Sequence, residues 1–120
     1  MASYVKRAKL MENAYVHREG YAIAIAGDEE AYDQIIIAQA ADTLLTMSGV
    51  KASFVVCRRA DERVGVSARS LGDVNVQVIM ERLGGGGHLS NAATQLEDLS
   101  LQDAQEQLEH AIDEGFEGGA

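Results

Sequence analysis

The sequence predicts an α/β domain in which helices flank a mixed β-sheet of about four to five strands. Short apolar segments of strand character alternate along the chain with amphipathic segments of helical period, which is typical of a sheet covered by helices. The chain has 120 residues, of which 47% are hydrophobic, so it can form one domain with a modest core. No internal repeat is visible, which argues against a repeat architecture.

The first half of the chain predicts a helix, a strand and a second helix. Residues 4–13 mix apolar and basic side chains and suit a short helix, and residues 21–26 suit an inner strand. Residues 31–47 carry a broad apolar face of helical period. Asp28 is the expected N-cap of that helix, because its carboxylate can accept a hydrogen bond from a free N–H group, and Gly49 is the expected end.

Residues 50–59 and 63–70 predict the clearest hairpin of the chain, with a turn at residues 60–62. Because side chains alternate along a strand, Ser67 and Arg69 should share one face, opposite the valines of the second strand.

The remainder predicts a helix over residues 74–83, a short strand over 92–96 and a last helix over 101–114, with Ser100 as its N-cap and a frayed tail over 115–120. The apolar positions of these elements predict a core that includes Ile23, Ile25, Ile36, Leu44, Val55, Val66, Ile79, Leu83 and Leu108.

Four consecutive glycines, residues 84–87, and then His88 lie between the third helix and the short strand. Glycine weakens both helices and strands, so a run of four indicates backbone that approaches another group closely. One or two glycines would suffice for a Schellman-type helix end and a tight turn. We therefore interpret the run as a loop whose N–H groups face an anion such as a phosphate.

Other polar residues can serve the same anion. Arg69 ends a predicted strand, and a guanidinium offers paired donors to phosphate. Ser67 and Ser70 can donate hydroxyl bonds, while Asn91 can either contact a base or close a turn on its own backbone. The alternatives are an ion pair of Arg69 with an acid and ordinary hydration of the two serines.

Several further residues favour structural roles. Cys57 lies in an apolar run and should be a small buried hydrophobic residue. Arg58 and Arg59 precede a turn that contains Asp61, so a local ion pair is expected. No cluster of His, Cys and carboxylates has ligand spacing with His88, so this chain is expected to hold neither a metal ion nor a catalytic residue.

Composition narrows the class of protein. The net charge of −9 argues against a general nucleic-acid coat, which would be basic, but it allows a local phosphate site. A single cysteine excludes an internal disulfide and fits a reducing compartment. No apolar run approaches the ~18 residues of a membrane span, and no signal-peptide pattern opens the chain, so a cytoplasmic domain is expected.

The run Ser67-Ala68-Arg69-Ser70-Leu71-Gly72-Asp73-Val74-Asn75-Val76, the helix after it, Gly84-Gly85-Gly86-Gly87-His88 and Asn91-Ala92-Ala93 together resemble the DHH-associated domain. That domain is the C-terminal half of the DHH phosphoesterase superfamily. The pattern, over residues 4–112, is most similar to the membrane-bound cyclic-di-AMP phosphodiesterases of Gram-positive bacteria. In that family a separate N-terminal DHH domain binds two manganese ions, whereas this sequence contains no Asp-His-His run.

The resemblance implies the substrate-binding half of an enzyme that is inactive alone. Residues 1–13 would link it to the DHH domain, residues 14–114 would bind the substrate, and residues 115–120 would be a tail. A cyclic dinucleotide or a short oligonucleotide would bind at Ser67, Arg69, Ser70, Gly84, Gly85, Gly86, Gly87, His88 and Asn91. Manganese, hydrolysis and any membrane anchor would belong to the rest of the parent protein. Its partners would be that DHH domain and, as an open alternative, a second copy in a homodimer.

Two other functions remain open at this point. The same fold can serve a short-oligonucleotide nuclease or an exopolyphosphatase-like protein, although those relatives usually carry three glycines before the histidine. The chain can also be a non-enzymatic, acidic interaction module, in which case it would bind no nucleotide.

Overall fold

The computed structural model describes residues 8–27 and 30–117. Residues 8–12 are helical. The other elements are β1 (Tyr15–Arg18), β2 (Tyr21–Ile25), α1 (Gln34–Leu45), β3 (Ala52–Arg58), β4 (Val64–Ser70), α2 (Val76–Glu81), β5 (Gly86–His88), β6 (Asn91–Leu96) and α3 (Leu101–Glu117). The expected α/β class is confirmed. Within these ranges the sheet has six strands, one more than the upper expectation.

The strands form one mixed sheet in the order β1-β2-β3-β4-β6-β5. Strands β2 and β3 are parallel, and α1 is the crossover between them. All other neighbouring strands are antiparallel. The chain leaves β4 through α2, forms β5 at the edge and returns as β6 between the two. This return places the glycine run two strands away from Arg69.

Two short edge strands were not expected from the sequence. β1 has only four residues and pairs with β2 across a tight turn at Gly20, whose φ of +87° suits glycine. β5 has three residues and occupies the second half of the glycine run, which was expected to be a loop. Glycine has a low intrinsic tendency to form strands. Here the backbone pairing with β6 holds the segment in a strand.

The sheet carries helices on both faces, and each face has its own hydrophobic core. One core joins the sheet to residues 8–12 and α1, and it includes Leu10, Ala24, Ile37, Ala41, Leu44, Val55 and Cys57. The other joins the sheet to α2 and α3, and it includes Ile23, Phe54, Val66, Val76, Met80, Leu108 and Ile112. The architecture is therefore three layers, with the sheet in the middle.

Most of the expected core is confirmed. Six of the nine residues are buried: Ile23, Leu44, Val55, Val66, Ile79 and Leu108. The other three, Ile25, Ile36 and Leu83, are only partly buried against the cores. In α1 the fully buried isoleucine is Ile37. Three consecutive isoleucines precede Ala38, and composition alone does not tell which of them faces the sheet.

The helix ends correct two expectations. Asp28 lies outside the described residues, and the N-cap of α1 is Asp33, whose Oδ1 accepts the N–H of Ile36 at 2.9 Å. The last helix does not end near residue 114 but continues to Glu117. Phe116 holds this last turn on the sheet, since its ring packs edge-on against Tyr21 with centroids 5.4 Å apart. The cap of the same helix is confirmed, because Ser100 Oγ accepts the N–H of Asp103 at 3.0 Å.

Candidate functional site

The first glycine of the run ends α2. Gly84 has a φ of +84°, and its N–H donates to the carbonyl of Glu81 at 3.0 Å. The N–H of Gly85 reaches back to the carbonyl of Met80 at 2.8 Å. These two bonds are those of a Schellman motif, so Gly84 has the structural role that the sequence left as the simpler alternative.

The next three glycines alternate in what they face. A Cβ added at Gly85 would lie 2.2 Å from the carbonyl oxygen of Ala93, and one added at Gly87 would lie 2.6 Å from the Cα of Ala92. Both positions are therefore glycine because the backbone of β6 approaches closely. A Cβ at Gly86 would meet no atom within 4 Å. Only Gly86 has its open side toward space that a ligand could fill.

Strand register brings three expected site residues into one line. Asn91 of β6 is paired with Arg69 of β4 on one side and with His88 of β5 on the other. Paired residues of antiparallel strands share a face, and neighbouring strands lie ~4.8 Å apart. Arg69, Asn91 and His88 therefore form a row across three strands, called here the polar row.

One end of the polar row lies beneath α1. Ser53 of β3 is the next residue in line, paired with Arg69; it is fully buried and donates to the carbonyl of Ala41 in α1 at 2.7 Å. Arg69 has 14% of its side chain exposed, whereas Asn91 and His88 are exposed. The helix covers one end of the row and leaves the other end open.

Arg69 is held by an acid on the helix. Its Nε donates to Oδ1 of Asp42 at 2.8 Å, and its Nη1 donates to the carbonyl of Ala68 at 3.0 Å. Among the described residues its Nη2 has no protein partner. The ion pair that the sequence left as an alternative is thus present, and it orients the guanidinium at the start of the open part of the row.

The two serines of the expected site have protein partners. Ser67 is 1% exposed, and its Oγ accepts the Nε2–H of Gln34 in α1 at 3.0 Å. Ser70 points to the other face of the sheet from the polar row, since side chains alternate. Its Oγ accepts the N–H of Gly72 at 3.3 Å. In this structure both hydroxyls stabilise the protein and neither lines the open face of the sheet.

A groove runs beside α1 over the part of the sheet that this helix does not cover. Its floor is the outer face of β6 and β5, and its wall is the side of α1 that carries Gln34 and Asp42. We call it the α1 groove; its floor residues are Asn91, Ala93, Gln95, Gly86 and His88. The end of the groove opposite His88 opens into a cavity of about 400 Å³.

Sequence reasoning did not identify three residues of the α1 groove. Gln34 and Asp42 belong to a helix that was considered only for its apolar face, and Gln95 belongs to a strand that was considered only for its burial. Their spacing carries a weak signal, because Gln34 and Asp42 are two turns apart on one side of α1. Only the pairing of β4 with β6 shows that this side faces the glycine run.

The remaining titratable groups near the sheet are structural. Burial raises the pKa of the Cys57 thiol to about 12, so the expectation of a small buried residue is confirmed. Arg59 forms the expected local ion pair with Asp61, at 3.2 Å. In the described part of the chain, no group of three or more His, Cys, Asp and Glu side chains is arranged so that it could hold a metal ion. Nor is any helix within residues 8–27 and 30–117 long and apolar enough to cross a membrane.

Comparison with known proteins identifies relatives of the whole chain. The family model described as "DHHA1 domain" matches residues 18–114. The chain is 63% identical over 119 residues to "Cyclic-di-AMP phosphodiesterase GdpP" of Geobacillus thermodenitrificans and 52% identical over 118 residues to "Cyclic-di-AMP phosphodiesterase PdeA" of Listeria monocytogenes. The matches cover 99% and 98% of this chain but only 18% of each relative. The chain thus spans about a fifth of the length of these relatives.

Weaker matches extend the comparison. "Bifunctional oligoribonuclease and PAP phosphatase NrnA" of Thermus thermophilus is 43% identical over 60 residues, which is 50% of this chain and 18% of that protein. Among solved structures, an exopolyphosphatase-related protein from Bacteroides fragilis has a TM-score of 0.79 at 19% identity, over 95% of this chain and 35% of that one. At this identity the likeness shows the fold.

Proposed function

Because the chain belongs to the DHHA1 domain family, we propose that it is the substrate-binding part of a phosphodiesterase that hydrolyses cyclic di-AMP. The observation that carries this proposal is the polar row, which lies in an open groove. Relatives named cyclic-di-AMP phosphodiesterase are 52–63% identical to this chain. The row is proposed to hold one phosphate of the cyclic dinucleotide.

The chemistry of the polar row suits a phosphate. A guanidinium, an amide and an imidazole, at intervals of ~4.8 Å, can donate to different oxygens of one anion. β5 is the last strand of the sheet, so N–H groups on its outer side also face away from a strand partner. Gly86, which pairs with Ala93, leaves the floor of the groove low beside these donors.

Asp42 competes with the phosphate for Arg69. A bound phosphate would receive Nη2 of Arg69 while Nε stays on Asp42, so the ion pair positions the guanidinium instead of blocking it. Asp42 has 62% of its side chain exposed, and water screens an exposed carboxylate strongly. The carboxylate therefore offsets only part of the attraction that Arg69 has for an anion.

The donors of the polar row do not form a manganese site, and the family resemblance places the manganese ions in a separate DHH domain. His88 lies beside an amide and a guanidinium, which are not a carboxylate and imidazole set. The role proposed for this chain is to bind and orient the substrate and to neutralise its charge. Bond cleavage is proposed for the part of the parent protein that precedes this domain.

Titration of this chain with cyclic di-AMP, followed by calorimetry, tests the proposal. Charge-assisted hydrogen bonds contribute ~1.5–3 kcal/mol each, so Arg69→Ala should weaken binding by roughly tenfold to a hundredfold. Arg18→Ala is the matched control, because Arg18 also forms a short ion pair, with Asp113 at 2.7 Å, but on the far edge strand. Unchanged affinity in a folded Arg69→Ala variant would refute the role of the polar row.

A short oligoribonucleotide is the second candidate ligand. The 43% identical match to an oligoribonuclease supports it over half of the chain. Titration with a linear adenylate dinucleotide beside cyclic di-AMP distinguishes the two, since tighter binding of the linear form would favour the oligonucleotide. Binding of neither would favour the non-enzymatic interaction module.

A further inference from the structure

The end of the α1 groove away from His88 carries side chains of a different kind. Gln95 lies on the floor, Gln34 lies on the wall, and both line the cavity of about 400 Å³ together with Arg63 and Gly84. A volume of this size lies within the range of small-molecule sites, ~300–1,000 Å³. The proposed function uses the polar row and leaves this cavity unassigned.

Gln34 is fixed in one orientation. Its Nε2 donates to Ser67 Oγ at 3.0 Å, and its Oε1 accepts Nη1 of Arg59 at 2.7 Å. Because Nε2 donates one bond and Oε1 accepts the other, the two bonds fix the orientation of the carboxamide. Gln34 therefore presents a rigid wall to the cavity, with one further N–H of its Nε2 available.

Gln95 keeps most of its hydrogen-bonding capacity. Its Oε1 accepts Nη1 of Arg63 at 3.1 Å, and no partner of its Nε2 is found in the described part of the chain. The oxygen retains a lone pair and the nitrogen retains two donors. A carboxamide with a free donor beside a free acceptor matches the edge of adenine, where an amino group lies next to a ring nitrogen.

Arg63 can supply a planar surface beside that edge. Its Nε is paired with Glu97 at 3.2 Å, and 46% of its side chain is exposed. The hydrogen bond to Gln95 uses an N–H group that lies in the plane of the guanidinium, so it leaves a face of that group available for stacking. Glu97 also offsets the positive charge of Arg63, which makes this end of the groove a poor site for a second phosphate.

The two ends of the groove are one nucleotide apart. Asn91 and Gln95 are four residues apart on the same face of β6, which corresponds to ~14 Å between their Cα atoms. A nucleotide extended along β6 would have its phosphate near Asn91 and the edge of its base near Gln95. A phosphate on the polar row would place its own base in the cavity.

We propose that the cavity between Gln34 and Gln95 binds an adenine base of the nucleotide whose phosphate contacts the polar row, and that Gln95 determines the base specificity. This inference rests on the proposed function. Beyond that function, the cavity becomes a second subsite for an adenine base, and Gln95 is the residue that contacts the edge of the base.

The test compares two probes that differ only in the base. AMP and ribose 5-phosphate are titrated into the isotopically labelled chain, and backbone and side-chain amide signals are followed by NMR. Both probes should shift the signals of His88 and Asn91, and only AMP should shift those of Gln34 and Gln95. Gln95→Ala should weaken AMP about tenfold and leave ribose 5-phosphate unchanged, whereas Gln102→Ala, at an exposed position on α3, should change neither.

The other outcomes separate this inference from the function on which it rests. If AMP shifts only the polar row, or if Gln95→Ala affects both probes equally, the base subsite is wrong and the phosphate site stands. If ribose 5-phosphate itself shifts Gln95, the cavity is an anion site and the inference is wrong. If neither these probes nor cyclic di-AMP shift any signal of the groove, the proposed function fails as well.

Discussion

Replacing the glycines one at a time by alanine distinguishes their structural role from a ligand-binding one. Gly85 and Gly86 are neighbours in sequence, and neither has a positive φ. Their surroundings differ completely: a Cβ at Gly85 would lie 2.2 Å from the carbonyl oxygen of Ala93 and 2.5 Å from Cβ of Thr94, whereas a Cβ at Gly86 would meet nothing within 4 Å. The same substitution should therefore have opposite consequences at the two positions.

Gly85→Ala forces β5 away from β6. Overpacking of this kind costs ~1–3 kcal/mol, and for a domain of this size 1 kcal/mol lowers the melting temperature by about 4 °C. We expect a loss of about 4–12 °C on these two scales. Gly86→Ala should leave the melting temperature unchanged or raise it slightly, because alanine restricts the unfolded chain and contributes ~0.4–1 kcal/mol where the native backbone accepts it.

Ligand affinity, unlike the melting temperature, should be sensitive to a substitution at Gly86. Its new methyl group would project into the α1 groove beside the polar row. Gly86→Ala should therefore weaken the binding of cyclic di-AMP, and Gly86→Val should weaken it further in a folded protein. Thermal melts and calorimetric titrations of both variants measure the two effects separately. Wild-type affinity in folded Gly86→Val, or a melting temperature of Gly85→Ala equal to the wild type, would refute the alternation described above.

The remaining expectations concern the scaffold. Ile79→Ala should cost ~2–5 kcal/mol in a denaturant melt, because it leaves a cavity in the core under α2; an unchanged melt would mean that the helix face is misassigned. Cys57 should react with a thiol reagent only after unfolding, since burial raises its pKa to about 12; fast labelling of the native protein would contradict this. The bonds of Arg18 and His17 hold the pKa of Asp113 below 3.8, so they contribute stability above pH 3.8 that is lost as the pH falls through the folded-state value. Asp113→Asn should accordingly be less stable than the wild type at neutral pH and lose less stability on acidification, which acid titration of the melting temperature measures.

The hydrophobic pattern was sufficient for the class of fold and for the main elements. The alternation of residues 63–70 identified both the strand and the face that Arg69 occupies, because period two is specific to strands. It did not reveal β1 or β5, since strands of four and three residues are too short for a period to be visible. Each of them pairs with the strand that follows it across a tight turn, and whether so short a segment pairs depends on its packing context more than on its own residue types.

The prediction of the candidate site was incomplete for a similar reason. Residue types and the family resemblance identified Arg69, His88 and Asn91, but their alignment depends on β6 entering the sheet between β4 and β5. Local sequence does not determine that order. The same limitation explains Ser67, which was a candidate to donate to the ligand but is buried, with its hydroxyl bonded to Gln34.

The glycine run shows how one sequence feature can carry two kinds of constraint. Gly84 ends a helix and Gly85 and Gly87 admit a neighbouring backbone, so three of the four glycines have reasons within the fold. One glycine suffices for the helix end, and close strand pairing accounts for two of the others. The part of the run that the fold itself leaves unexplained is Gly86.

The net charge of −9 bears on how an anion reaches the α1 groove. Charges act over about 10 Å at 0.1 M salt, and packed layers lie ~10 Å apart, so acids on the outer side of α3, such as Glu106 and Glu114, are largely screened from the groove on the opposite face of the sheet. They repel an approaching dinucleotide from their own face, while the donors of the polar row act only at contact. An acidic domain can therefore still bind an anion through donors that are exposed on one face.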